Sequence, residues 1–388
     1  MYQQDFTSQR GVTLVEIMIG ILLSFLLLGG VLQIFHSTKS SYRMAEEASR
    51  LQENARFAMD FLARDIRAGG YIPCRRTVRS VNVLTGAAAN QAVNFFGGAV
   101  FGDDASGGDP FNGYPAVGGA AGNRVAGADA ITVLRGGAAT FAVVVHQHLA
   151  APPSFRLNRA VNGFAPGNIM AICDTDKSAV FQITAVDIPN QTIEYDSIAP
   201  VAPVTPGNCT TGLGFPLPAV CNAFGTAGTA VQFHEESRIV QVRSMSYFVG
   251  VSSSGTGRSL WRRMPGVADQ ELVEGVESMQ ILYGEDVDVV AADPGIIPPP
   301  ANSNMVDRYR TADNVANWAN VHSVRIGLLM QSVNTITGQN DITTYNVAGT
   351  NIGTAPPVAH AVDGRLRHVF TSTIKLRNRG RGVAPVAP

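Results

Sequence analysis

Few side chains in this sequence stand where their types and spacing could do chemistry, and each group also admits a plainer role. His146 and His148, in "VVVHQHLA", are two residues apart; on a β-strand they share a face and could offer a metal two nitrogens. No third ligand stands near them, so surface histidine is the expectation. Glu285, Asp286, Asp288 and Asp293 form the densest acidic cluster. Calcium uses Asp-rich loops of this kind, but the ligand order of an EF-hand is missing, and a solvated loop is expected there rather than a Ca²⁺ site. Cys74, Cys173, Cys209 and Cys221 include no C-x-x-C pair, which argues for disulfides over zinc. Three pairings are open. Proximity favours Cys209 with Cys221 across one Pro/Gly-rich loop, a closure that contributes about 3 kcal/mol, and this leaves Cys74 for Cys173. G-x-S-x-G, H-E-x-x-H, P-loop and dinucleotide fingerprints are absent. The glycines of residues 86–128 lack phosphate-loop spacing and read as a long surface insertion. "KLRNRGR" near the C-terminus carries four cations with no interleaved aromatics, a hydrated strand end and not a nucleic-acid site. Neither an enzyme nor a cofactor is expected.

The remaining group is a single carboxylate. In "RGVTLVEIMIGILLSFLLLGGVLQIF" Glu16 precedes 19 residues without a formal charge, Ile17 to Phe35. A charged side chain in a bilayer costs about 2.5–3.5 kcal/mol even on lenient scales, and it usually has a partner. As a helix this run spans about 28 Å, close to the thickness of a bilayer core. Arg10 stands just before it, which places the first residues in the cytoplasm and the bulk of the chain outside. Four cysteines suit such an oxidising compartment. A cleaved secretory signal would have a shorter apolar core and an A-x-A-like site, for which "HSTKSSYR" is a poor substitute.

The elements that position these groups follow from composition and periodicity. The chain has 388 residues, 45% apolar and 15% charged, enough for a sizeable core. Its net charge of −1 gives no reason to expect general affinity for nucleic acid or anionic lipid. Forty glycines and 21 prolines suggest short strands joined by long loops. No proline precedes Pro73, so one helix is expected from Val12 to Ala68, on the order of 85 Å long, with Gly69-Gly70 and Pro73 as its stop. In its second half Met44, Ala48, Leu51, Ala55, Ala58 and Leu62 recur at helical spacing, with Phe61 and Ile66 beside them. Glu46, Glu47, Arg50, Glu53, Arg56, Asp60 and Arg64 fall on other faces. The apolar stripe is the seam for a globular head. Gly29-Gly30, inside the apolar half, suggests close packing against another helix.

Beyond residue 70 the periodicity turns to β. "DAITVLRG", "FAVVVHQ", "NIMAICD", "AVFQITAVD", "QTIEYDS", "SRIVQVRSMSYFVG", "RSLWRRM", "ESMQILYG", "VHSVRIGLLMQS" and "RHVFTSTIKLRN" are runs of β-formers bounded by turn residues. In the last, Phe370, Ser372, Ile374 and Leu376 alternate with Thr371, Thr373, Lys375 and Arg377, as in a sheet with one buried face. The expected fold is α+β: a long N-terminal helix, half membrane-spanning and half amphipathic, packed on a mostly antiparallel sheet head with long loops.

"RGVTLVEIMIG" resembles the class III leader of type IV prepilins and pseudopilins. The resemblance implies cleavage after Gly11 by a prepilin peptidase and methylation of the new N-terminal residue, here Val12 where the family usually has Phe or Met. It also implies pairing of Glu16 with the Val12 amine of a neighbouring subunit during assembly. Pairing within one helix is open too, since residues four apart are neighbours. "ARDIRAGGYIPC", "ADAITVL", "LVEGVESMQILYGED", "NWANVHSVRIGLLMQS" and "RLRHVFTSTIKLRNRG" further resemble the PilW family of type IV pilus assembly proteins, which are minor pilins.

On that likeness residues 1–11 are the leader, 12–36 the membrane and assembly half of the helix, 37–70 its amphipathic half and 71–388 the periplasmic or extracellular head. The implied partners are other minor pilins, the major pilin, a tip adhesin and the inner-membrane assembly platform, without catalysis. The implied location is the inner membrane, single-pass with the head in the periplasm, and then a pilus at the cell surface. Alternatives are a J-type minor pseudopilin of type II secretion, with a similar leader, helix and "LYG" strand, and a membrane-tethered adhesive or binding protein that never polymerises.

Overall fold

The structure, a computed structural model, describes residues 11–72, 79–85, 95, 98–104, 114–199, 206–216, 221, 224–255, 257–264, 267–287, 305–336, 338–356 and 358–378. A single helix, α1, runs 55 residues from Leu14–Ala68. It stops where expected. Gly69 is the C-cap, its N–H donating to the Ile66 carbonyl, and Gly70 takes φ +73°, a conformation that glycine enters without a Cβ penalty. The first half is bare: Val12 through Phe35 is exposed on every face. The second half buries Leu51, Ala55, Ala58, Leu62, Ala63 and Ile66 against the head, each large side chain stabilising by about 1.5–3 kcal/mol. Small alanines between the leucines let the sheet come close.

Among the described residues seventeen strands follow: β1 (Arg79–Asn82), β2 (Val100–Asp103), β3 (Ala130–Gln147), β4 (Ser154–Leu157), β5 (Ile169–Cys173), β6 (Lys177–Gln182), β7 (Ala185–Asp187), β8 (Thr192–Glu194), β9 (Arg238–Val251), β10 (Arg258–Met264), β11 (Val267–Glu274), β12 (Val276–Glu285), β13 (Arg308–Arg310), β14 (Val321–Gln331), β15 (Tyr345–Val347), β16 (Thr350–Ile352) and β17 (Arg367–Lys375). A four-stranded antiparallel sheet has the order β13-β12-β14-β17. An eleven-stranded sheet runs β1-β6-β5-β9-β3-β4-β8-β7, with β10 and β11 added beyond β9 and β2 beside β3. Among the described residues, its β1–β6 pair alone is parallel. A long apolar helix packed on a largely antiparallel head is thus the architecture of the protein.

The two segments "DAITVLRG" and "FAVVVHQ", expected as separate strands, form one strand, β3, of 18 residues with a register shift between Gly136 and Thr140. The shift coincides with the end of the helix, because Gly70 N–H donates to the Leu134 carbonyl and Gly136 N–H to the Tyr71 carbonyl. Ile131 and Val133 of β3 pack in the same core as the helix. Past Gly136, β3 continues beyond the helix and builds a second lobe. β9 does likewise in the opposite direction, pairing with β10 over residues 246–251 and with β5 over residues 238–241. The second lobe has its own core, in which Phe155, Phe181, Tyr195 and Phe233 gather around β4, β5, β6 and β8.

Residues 86–128 differ from the surface insertion that was expected. Their described parts contribute β2 to the large sheet and bury Phe95, Phe101, Tyr114, Val125 and Ala128. Arg124 inside this stretch is buried and forms an ion pair with Asp103. A Gly/Ala-rich stretch hides its apolar spacing because its aromatics are few, yet each of those among the described residues, Phe95, Phe101 and Tyr114, is buried.

Candidate functional site

At the helix start Glu16 and Thr13 form a capping box. Thr13 accepts from the Glu16 N–H at 3.3 Å, while the Glu16 carboxylate accepts from the Thr13 N–H at 3.2 Å and from its hydroxyl at 3.1 Å. A threonine followed three residues later by glutamate is the sequence signature of this arrangement, and its acid also complements the positive end of the helix dipole. Gly11 and Val12 lie exposed beside it, with no atom near enough to crowd a Cβ on Gly11. Further along the bare half, the Ser24 hydroxyl donates to the Gly20 carbonyl at 2.7 Å, so it too is satisfied within the helix. A Cβ on Gly20, Gly29 or Gly30 would meet nothing within 4 Å. The surface that a neighbouring helix could approach closely is open.

Where the helix enters the head, two acids lie inside the seam. Asp65 is buried, 3.1 Å from Arg135 Nη2, and accepts from the Tyr247 hydroxyl. Burial, then the charge of Asp65, pushes the Tyr247 phenol well above its ordinary range, so it stays a donor. Glu47 was expected on an outer face but is buried, accepting from Asn334 Nδ2 at 2.7 Å. It stands four residues before Leu51, on the buried stripe, and that spacing is the signal that marks it. Asn54 Nδ2 donates to the Glu274 carbonyl at 3.1 Å. Polar pins therefore hold the helix at both ends of its buried stretch.

His146, Glu285 and Asp286 are placed differently from their expected surroundings. His146, expected at the surface, is 5% exposed. Its Nδ1 accepts from the Phe233 N–H at 3.0 Å, which leaves the proton on Nε2, 2.7 Å from the Tyr195 hydroxyl. Phe155 stacks on the ring at 4.0 Å. Burial, with a smaller push from His148, lowers its pKa to about 3. Both nitrogens are spent on the protein, so this is a core histidine.

Glu285 is likewise fully buried at the end of β12, not in a solvated loop, and accepts from Arg308 Nη2 at 3.2 Å and the Asn317 N–H at 2.8 Å. Asp286 beside it is buried, 3.8 Å from His322 Nε2. Asp288 and Asp293 lie outside the described residues. Among the described residues no three His, Cys, Asp or Glu are grouped closely enough to hold a metal ion. Cys209 and Cys221 are joined in a disulfide, Cys173 is also disulfide-bonded, and Cys74 lies outside the described residues.

The site nearest to chemistry is thus the helix start, and what it offers is a charged contact on a bare apolar rod. Such a rod, long and apolar enough to cross a membrane, running into a sheet head, is a pilin-like α+β fold. Residues 246–378, about a third of the chain, match the family model described as Type IV Pilus-assembly protein W. No curated protein and no solved structure matches the chain.

Proposed function

We propose that this chain is a minor pilin that joins a tip or initiation complex and primes assembly of a type IV pilus. The observation that carries the reading is the lone Glu16 carboxylate at the head of an apolar helical half that the protein leaves uncovered. In lipid that half is solvated; in a filament it is the surface other helices cover. The family match over residues 246–378 supports a role in pilus assembly. Residues 1–11 are then the leader, 12–36 the assembly half of the helix, 37–70 its amphipathic half and 71–388 the head. Prepilin peptidase cuts after Gly11, and Val12 becomes a methylated, cationic N-terminus.

Opposite charges attract strongly in a low-dielectric layer. Glu16 of one subunit and the Val12 amine of its neighbour would set their axial stagger, and in the unpaired chain Thr13 keeps the carboxylate hydrogen-bonded until that partner arrives. The partners are the other minor pilins, the major pilin, a tip adhesin and the inner-membrane assembly platform. Before assembly the head faces the periplasm, and afterwards it stands on a pilus at the cell surface. The test is mass spectrometry of the mature N-terminus together with pilus counts for Glu16→Ala. A methylated Val12 and a loss of pili at normal membrane levels are expected; an intact Met1, or undiminished piliation, overturns the reading.

A further inference from the structure

The four-stranded sheet ends on β17, and that edge is open. The Leu376 N–H donates to the His322 carbonyl at 2.9 Å and the Ser332 N–H to the Leu366 carbonyl at 2.8 Å. These two bonds lie at opposite ends of the same ladder and fix its phase. Even-numbered residues of β17 exchange hydrogen bonds with β14, and odd-numbered ones turn their N–H and C=O away from the sheet. Val369, Thr371 and Thr373 are the odd-numbered residues at its centre, and no described residue gives these outward groups a partner. Arg377 keeps the same phase, its outward N–H donating at 3.3 Å to the Arg67 carbonyl, where the end of α1 reaches the edge.

An unpaired edge is a template for another strand, so it is ordinarily kept short, charged, bulged or covered. Other edges of the head follow that rule. β1, β7 and β13 have three or four residues. β11 is longer but carries Asp269, Glu271 and Glu274, and Asn54 donates to its Glu274 carbonyl. β17 has nine residues without proline, pairs with β14 without a register shift, and is uncharged from Val369 to Ile374.

The side chains along this edge differ on its two faces. Towards α1 stand Phe370, half-buried against the main core, and Ile374, buried in it. On the other face Thr371, Thr373 and Lys375 are exposed, and Arg325 of β14 lies behind them, its Nε 3.4 Å from Thr373 Oγ1. Arg325 stacks on Tyr309 at 4.0 Å, and among the described residues neither it nor Lys375 is paired with a carboxylate.

A second copy of this chain does not suit the edge. β17 runs beside α1 in the same sense, from Leu366, next to Ser332 in the segment whose Asn334 holds Glu47, to Arg377 at Arg67. Two copies pairing antiparallel would point their membrane-length apolar halves in opposite directions. Two pairing parallel would set Lys375 beside Lys375, and like charges facing each other across strands destabilise the pair.

We propose that β17 is completed by an extended strand of a partner protein. That strand pairs through its backbone with Val369, Thr371 and Thr373, and carries acidic residues on the face that meets Lys375 and Arg325 and apolar residues on the face beside Phe370.

The test is hydrogen exchange of the full chain in detergent micelles, read at single amides by fragmentation mass spectrometry. The probes are the peptide N-acetyl-Thr-Glu-Val-Glu-Val-Glu-Thr amide, its counterpart with lysine in place of glutamate, and the acidic peptide N-methylated at every internal residue. In the free protein the Thr371 and Thr373 amides are expected to exchange at least tenfold faster than those of Ser372 and Ile374. The acidic peptide is expected to slow Val369, Thr371 and Thr373 at least tenfold at saturation and to bind at least tenfold more tightly than the lysine peptide, and the N-methylated peptide to leave all three unchanged. Thr371→Pro removes an outward N–H and none that β14 uses, and is expected to abolish the protection. Outward amides that are already as slow as Ser372 overturn the proposal, and so does slowing that grows with protein concentration alone, which would give the edge to a second copy. An acidic peptide that slows none of the three, or that acts no better than the lysine or N-methylated peptide, overturns it whether or not Thr371→Pro folds.

Discussion

The two lobes of the head solve the same stability problem by different means. The lobe seated on the helix, which contains most of the stretch matched by the pilus-assembly family, draws its core from distant parts of the chain: Leu62 and Ile66 of α1 against Met279 and Ile281 of β12, Leu328 of β14 and Ile374 of β17. Its polar interior is ionic, with Arg367 among three carboxylates and Asp65 against Arg135. The lobe beyond the helix has no helix to lean on. It relies on stacked aromatics around Phe155, a neutral buried histidine and the Cys209–Cys221 bridge. A small lobe with short strands gains more from a cross-link and from large rings than from charges whose desolvation it would have to offset. Because β3 and β9 run through both, neither lobe can lose its strands without disturbing the other.

The contrast can be broken most severely at Arg367. Arg367→Ala strands Glu277 as a buried, unpaired carboxylate, and we expect a loss of about 3–5 kcal/mol, read by urea unfolding of the full chain in detergent. A loss below about 1 kcal/mol would show that the ionic cluster does not hold the helix-seated lobe. Next is the paired change Cys209→Ser and Cys221→Ser, expected to cost about 3 kcal/mol. Hydrogen exchange should then quicken in β5 and β6 while β12 and β14 stay protected; equal quickening in both would deny the lobes any separate stability.

Acid should act on the far lobe through His146. Its folded pKa of about 3 lies below the ordinary 6.5, so below pH 6.5 the unfolded chain binds a proton that the native one refuses. Stability from this group is full above pH 6.5 and falls as the pH drops towards 3, by about 2 kcal/mol at pH 5. His146→Phe should flatten that part of the pH profile. The smallest effect belongs to the exposed Glu46–Arg50 pair at 2.8 Å on the helix surface, where a double-mutant cycle should give only about 0.3–0.5 kcal/mol.

Much of this fold was legible in the residues themselves. The helix stop at Gly69-Gly70, the stripe from Leu51 to Ile66 and the alternation of β17 follow from local spacing, because they depend on neighbours three, four or two positions away. The membrane-length run with Glu16 at its head was equally plain. The signal for Glu47 was present in its spacing from Leu51 but is masked by its charge.

Short strands such as β4, β13 and β16 carry too few residues to show a period, and β11 alternates only weakly, so they appear only when a longer strand offers them an edge. The fusion of two apolar runs into β3 needed the helix end and β9 in place. The burial of His146, Glu285 and Glu277 needed Phe233, Asn317 and Arg367, which lie 87, 32 and 90 residues away. By itself the sequence determined the rod, its exit from the head and the identity of its main strands, since those are local matters of hydrophobic period and backbone freedom. Only the tertiary structure decided which polar side chains go inside, because a buried charge or imidazole is stable only where distant groups supply its hydrogen bonds.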